Sequence, residues 1–384
     1  MKNAPVVIFF AVFFTIYGLI NYYIFLRGWQ AIPAGSMLRI PYVALFAGFA
    51  LSFIAGRFLE RAWLSPLSSG LVWIGSFWLA AMLYFFLALV LLDLVRLFNH
   101  FFALSPDWVS KNYPEVKAWT LAGLLCTVAL VLVAGHMNAL RPRTVGLDLR
   151  VHKPLEKGLT IAAASDIHLG TIIGRRRLEK IVEAINAIEP DVILLPGDIV
   201  DEDLAPVIRA NLGEHLRSLR ARLGVFAITG NHEYIGGVEA AVSYLREHGV
   251  TVLRDSSTVL PGGVTIIGRE DRSVVTMAGR TRKTLKELMT GVDASRPVIV
   301  LDHQPFHLEE AAEAGADLQL SGHTHDGQLW PLNFITKAIY EVSWGYLKKG
   351  ETHYYVSSGI GTWGPPVRLG NHPEIIRIRL VSDL

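Results

Sequence analysis

"SGHTHDGQLW", residues 321–330, holds two histidines one residue apart, His323 and His325, between glycines. Residues two apart in an extended segment point to the same side, so both rings can address one place. Alone, the pair fits a polar turn as well as a ligand loop. The upstream sequence separates the two readings. Short apolar runs precede Ser165-Asp166 (residues 159–164), Gly197-Asp198 (192–195), Thr229-Gly230-Asn231-His232 (225–228), Asp302-His303 (298–301) and Ser321-Gly322-His323 (318–320). Five segments of strand length thus each end in a turn carrying Asp, Asn or His. In layered α/β folds the site lies at the carboxyl ends of the strands, so these turns are expected to converge. Between them, residues 178–188 and 238–248 have helical apolar spacing, residues 145–151 alternate as an edge strand would, and 264–267 read as a further strand.

The converging side chains are Asp166 and His168 in "SDIHLG", Asp198 in "PGDIVD", Asn231 and His232 in "TGNHE", His303 in "LDHQP", and His323 with His325. Carboxylate, imidazole and amide oxygen together suit a borderline or hard divalent ion such as manganese, iron or zinc. The set exceeds the needs of one ion, so two ions sharing a carboxylate fit better. Ions about 3.5–4 Å apart clamp both oxygens of an in-line attack on phosphorus. Each motif by itself is commonplace, since Asp-x-His is usually an Asx-turn beside a surface ring. Their order, each at a strand end, is not.

The series D-x-H, G-D, G-N-H, H and G-H-x-H resembles the calcineurin-like metallophosphoesterases. Residues 145–384 look like the membrane-associated bacterial branch, with "VSSGIGTWGPPVRLGNHPEI" (356–375) similar to its C-terminal signature. The resemblance implies a four-layer αββα sandwich. It implies that Asp166, His168 and His325 hold one metal, that Asn231, His303 and His323 hold a second, and that Asp198 bridges them. His232 would be the general acid or a donor to the phosphoryl oxygens, oriented by Asp201, with a coordinated water as nucleophile. Two positions depart from the pattern. Glu202 stands where these phosphatases often carry arginine, so no phosphate clamp is implied there. Asp326 follows His325 where the branch usually has glycine, and is expected to face water.

The rest of the chain is unlike this half. Of 384 residues, 51% are hydrophobic, and residues 4–26, 40–56, 62–92 and 118–140 carry no charge. The spacing predicts about four transmembrane helices in a membrane domain, residues 1–142, followed by a catalytic domain, 143–384. The first run is too long for a signal peptide and three more follow, so it is read as retained. Flanking Lys and Arg tie between the two sides until Arg150 and Lys153 favour termini inside. The expectation is a bacterial inner-membrane protein with a cytoplasmic catalytic domain. The single cysteine, Cys126, excludes an intrachain disulfide. A net charge of +2 leaves no nucleic-acid footprint.

Beyond Gln328, "LWPLNFITKAIYEVSWGYLKKG" is dense in apolar and aromatic residues. It reads either as core or as a hydrophobic lip gripping acyl chains beside the metals. With the membrane anchor, the lip favours a lipid or lipid-linked phosphoester or pyrophosphate as substrate, UDP-diacylglucosamine hydrolysis being one activity among relatives. The alternatives are a nuclease of the same superfamily, or a transporter or sensor with a metal-binding regulatory domain. Few intramembrane polar groups (Asn21, His136, Asp93) support the latter. Arg175-Arg176-Arg177 is expected to be a solvated helix start.

Overall fold

The computed structural model describes residues 4–384. The chain divides after Gly135 into two units. The first contains α1 (Ala4–Ala31), α2 (Arg39–Ala62), α3 (Pro66–Phe102), the short α4 (Asp107–Lys111) and most of α5 (Tyr113–Ala139). All but α4 are long and apolar enough to cross a membrane. The 24 residues of α2 extend about 36 Å at 1.5 Å per residue, more than the ~30 Å of a hydrocarbon core. The start of α3 is set by Ser65, whose hydroxyl accepts from Ser68 N while the Ser68 hydroxyl accepts from Ser65 N, with Pro66 in the first turn. Several polar groups of this unit pair between helices. Asn21 donates to Tyr17 O and accepts from Trp78 Nε1 at 3.0 Å, and Asp93 joins Arg27 across α1 and α3.

The second unit begins at His136, earlier than the end of the apolar run at Leu140. The last turn of α5 belongs to it because its polar side chains bond there: His136 Nδ1 lies 2.7 Å from Pro366 O, and Asn138 Nδ2 donates to Asn371 O at 2.7 Å. The strands are β1 (Arg143–Val151), β2 (Leu159–Ala163), β3 (Val192–Pro196), β4 (Val225–Ile228), β5 (Thr251–Val252), β6 (Ser256–Val259), β7 (Thr265–Gly268), β8 (Val298–Leu301), β9 (Leu318–Ser321), β10 (Gly345–Lys349), β11 (Thr352–Val356) and β12 (Glu374–Ser382). They form two six-stranded sheets, ordered β1-β12-β2-β3-β4-β5 and β10-β11-β9-β8-β7-β6.

Alternation along the strands builds the layers. In β3, Ile193 and Leu195 face helices Arg175–Asn186 and Val238–Glu247, meeting Ile181, Ile185 and Val242. Val192 and Leu194 face the other sheet, where Ile266, Ile299 and Leu320 wait. Beyond the second sheet, Val298 and Val300 pack on Leu285, Leu288 and Ala311 of the outer helices. The result is the four-layer αββα sandwich. Parallel neighbours β2, β3 and β4 in one sheet, and β8 and β9 in the other, carry the five motif-bearing turns at their carboxyl ends.

Candidate metal centre

The turns meet in two clusters. Asp166, His168 and His325 offer ligand atoms within 4.8 Å of one another, as do Asp198, His303 and His323. A third such group, His168, Asp198 and His232, places Asp198 between the two clusters. Asn231 enters through its amide oxygen, 2.8 Å from His323 Nδ1. Every predicted site residue is therefore at this centre.

The contacts within the clusters are close. His168 Nε2 and His325 Nε2 face each other at 3.0 Å. His303 donates from Nδ1 to Pro196 O at 2.8 Å, and its Nε2 lies 3.0 Å from Asp198 Oδ2; burial would lower the imidazole, but the Asp198 charge outweighs it and holds the ring well above its ordinary value. Each of these contacts needs a proton or a cation between its two atoms. Ligands each about 2.1 Å from one ion at right angles sit about 3.0 Å apart. Asp166 Oδ2 is buried without a hydrogen-bond partner. The donor set and spacing fit two divalent ions that share Asp198.

The backbone is bent to make this possible. Asp166, His168, Asp198, His323 and His325 all have positive φ, between 48° and 72°. Non-glycine residues rarely adopt this region, and such strain, about 1–3 kcal/mol each, persists where surrounding structure over-determines it. Two glycines let the turns approach. A Cβ on Gly230 would lie 2.1 Å from Asp198 Oδ1, and one on Gly322 would lie 2.2 Å from Asp166 Oδ2.

Electrostatics follow from burial among mixed charges. Burial alone would raise the Asp198 carboxyl, but the His303, His232 and His168 imidazoles outweigh it and hold the group well below its ordinary value. Burial would lower His232, yet Asp198, Asp201 and Glu202 push it up to about 9. Cations at the ligand cluster would draw that value back down. Asp201 Oδ1 accepts from His232 Nδ1 at 2.9 Å, so Nε2 is the nitrogen free to give or take a proton at the site.

Two expectations change. Asp326 is buried, not facing water. Its Oδ1 accepts from Ser343 Oγ at 3.3 Å, and burial raises its carboxyl. The Arg175-Arg176-Arg177 run is only partly a solvated helix start, because Arg177 turns inward and donates to Ala139 O at 2.8 Å at the end of α5.

Three further residues shape the centre without having been singled out by motif. Glu233, fully buried, accepts from the backbone N–H groups of Asp198, Ile199, Val200 and Gly230 at 2.7–3.2 Å, tying two ligand turns together. Its signal was its place two residues past Asn231 in "TGNHE". Arg368, also fully buried, donates to Ser358 O and Gly361 O and lies 3.2 Å from His325 Nδ1. Burial pushes its guanidinium down to about 10 against the opposing pull of Asp166 and Glu374. Asn371 accepts from Arg368 Nη1 at 3.1 Å and donates to His325 O and Asp326 O at 2.9 and 3.1 Å. Both stand in the "PPVRLGNHPEI" stretch, where only the sandwich brings them behind His325.

Residues 159–327 match the family model described as calcineurin-like phosphoesterase. A metallophosphoesterase of Helicobacter pylori (strain ATCC 700392 / 26695) is 36% identical over 281 residues, covering 72% of this chain and 74% of that protein. The chain belongs to the calcineurin-like phosphoesterases. The matched family segment contains all five ligand turns and ends before Arg368 and Asn371. A metallophosphoesterase of H. pylori (strain J99 / ATCC 700824) is 37% identical over 246 residues, 63% of this chain and 64% of that protein. A Bos taurus protein named "Transmembrane protein with metallophosphoesterase domain" is 34% identical over 279 residues, 68% of this chain and 62% of that protein. The chain thus spans a little under two thirds of each of these last two relatives.

Proposed function

We propose that this chain is a membrane-anchored, dinuclear-metal phosphohydrolase cleaving a phosphoester or pyrophosphate bond of a lipid or lipid-linked substrate. The observation that carries the reading is the convergence of Asp166, His168 and His325 in one buried group and of Asp198, His303 and His323 in another, with Asp198 also grouped with His168 and His232 between them. In this reading Asp166, His168 and His325 hold one ion, Asn231, His303 and His323 the other, and Asp198 both. Bound ions would neutralise the phosphoryl oxygens and acidify a water. His232, oriented by Asp201, delivers a proton from Nε2 to the leaving oxygen. Manganese is the preferred ion, with iron and zinc as alternatives for this donor set.

The lipid part rests on the margin of the site. The Trp363 ring, 54% exposed, lies 6.2 Å from the His232 ring, and Tyr340 lies 6.2 Å from His323 on the other flank. Trp330, Phe334, Ile335 and Ile339 continue the exposed apolar surface, and the helix Asn333–Ile339 buries none of its residues. Such a lip suits acyl chains or the membrane interface. A bacterial inner-membrane location with the phosphoesterase domain on the cytoplasmic side fits the Arg and Lys distribution, and protease accessibility in sealed vesicles tests it.

The test of activity is hydrolysis by the detergent-purified full chain of an aryl phosphate ester and of a lipid phosphoester panel including UDP-diacylglucosamine, with manganese, iron or zinc. Asp198→Asn and His232→Ala should each abolish turnover of the aryl ester. Unchanged rates in both would sink the hydrolase reading. Turnover of the aryl ester with no lipid in the panel cleaved would remove the lipid part alone.

A further inference from the structure

The membrane unit contains a cavity of about 1050 Å³ between α1, α2, α3 and α5. That is at the top of the ~300–1,000 Å³ range of ligand pockets. Its walls are aliphatic and aromatic, Phe46, Phe49, Trp78, Phe85 and Leu124 among them. One end differs. Arg27, Arg39, Arg96 and Lys117 line it, and among the described residues no carboxylate does. These cations stand near the end of α1, the start of α2, the end of α3 and the start of α5. Helices that alternate in direction bring all four to one membrane face.

Their charge is only partly balanced. Asp93 pairs with both Arg27 and Arg96 from outside the lining. Arg39 lies over the Trp29 ring at 4.3 Å and donates to Ile32 O at 3.1 Å, and Lys117 donates to Gln30 O at 3.0 Å. Those contacts satisfy donors without supplying negative charge. Four cations therefore face one carboxylate, an excess of three. Arg27 and Arg96 keep 31% and 46% of their side chains exposed, and a partly open cluster of like charge at a membrane face attracts an anionic headgroup. Inward from them the cavity runs from Lys117 to Leu132 along α5, about 22 Å at 1.5 Å per residue. One leaflet of hydrocarbon is only about 15 Å deep. A headgroup at the cationic mouth would thus leave room for its chains lengthwise.

We propose that this cavity binds an anionic diacyl phospholipid, with its phosphate among Arg27, Arg39, Arg96 and Lys117 and its chains between the helices. Its lining lies entirely within residues 24–132 and shares no residue with the metal centre. It therefore stands or falls without reference to turnover.

The experiment is native mass spectrometry of the detergent-purified full chain titrated with dioleoyl-phosphatidylglycerol and dioleoyl-phosphatidylcholine. The anionic lipid should bind at one site at a concentration at least about tenfold lower than the zwitterionic one. Arg39→Gln with Lys117→Gln should lose at least about tenfold of that affinity and leave phosphatidylcholine unchanged. Ala129→Phe, which adds bulk to the cavity wall without touching a charge, should weaken both lipids. It keeps the test standing if the charge variant does not fold. Equal binding of the two lipids, or full retention of phosphatidylglycerol by both variants, overturns the proposal. So does a lipid-free dimer mass, which would put a second copy of the chain in the groove.

Discussion

Asn371→Ala offers the most informative perturbation, because Asn371 touches no predicted ligand atom yet holds the backbone of the loop carrying His325. The side chain is buried and makes three bonds, to His325 O, Asp326 O and Arg368 Nη1. Truncation orphans the buried Asp326 carbonyl and removes one of two bonds to His325 O, which keeps its bond from Gln328 N, at about 1 kcal/mol each, and removes a charge-assisted bond of about 1.5 kcal/mol. Allowing for local relaxation, the loss is about 3 kcal/mol. A domain of this size loses about 2–4 °C of Tm per kcal/mol, which gives about 6–12 °C. The loop also holds His325 at positive φ, and releasing such support typically lowers metal affinity or activity about 10–100-fold. Thermal unfolding of the detergent-purified full chain measures the first quantity, and manganese titration by electron paramagnetic resonance measures the second. A Tm within about 1 °C of the parent with unchanged manganese affinity would refute the reasoning, since the three bonds would then contribute nothing.

Other perturbations probe the rest of the centre. Removing divalent ions with a chelator should lower Tm, and manganese at about 100 times its Kd should restore about 2.7 kcal/mol to the folded state; a Tm indifferent to both would argue against metal ligation by these residues. Gly230→Ala should cut kcat by at least about a hundredfold, because the new Cβ would lie 2.1 Å from Asp198 Oδ1 and must displace that carboxylate. Steady-state kinetics on the aryl ester will show whether it does. Glu233→Gln replaces an acceptor of four backbone N–H groups with an amide whose NH2 faces donors, so Tm should fall by several degrees from a loss of about 2–3 kcal/mol. Asp201→Asn should leave Tm nearly unchanged while lowering kcat about 10–100-fold and altering its pH profile, because the His232 tautomer is no longer held. An unaltered pH profile would remove Asp201 from that role.

The ligand turns were legible in the sequence because each is local. An apolar run of four or five residues predicts a buried strand, and the polar residue that follows must sit at its end. The four long apolar runs were legible for a similar reason, since crossing hydrocarbon requires an uninterrupted stretch. Asp326 was misread because its burial depends on Ser343 and the segment that carries it, not on its neighbours in sequence. The C-terminal strands escaped for the same cause. β12 lies between β1 and β2, more than 200 residues upstream of it in the chain, and no local periodicity announces which strand another will pair with.

By itself, then, the sequence determined which side chains stand at the strand ends and in what order, and that four helices long and apolar enough to cross a membrane precede them. Only the tertiary structure decided how they are held. The positive-φ ligand residues, Glu233 across two turns, and Arg368 with Asn371 behind His325 all depend on contacts between segments far apart in the chain. "SGHTHDGQLW" offers two candidate ligands by composition. Its geometry is held from outside, by Asn371, which bonds His325 O beside the loop's own Gln328 N and supplies the partner of Asp326 O.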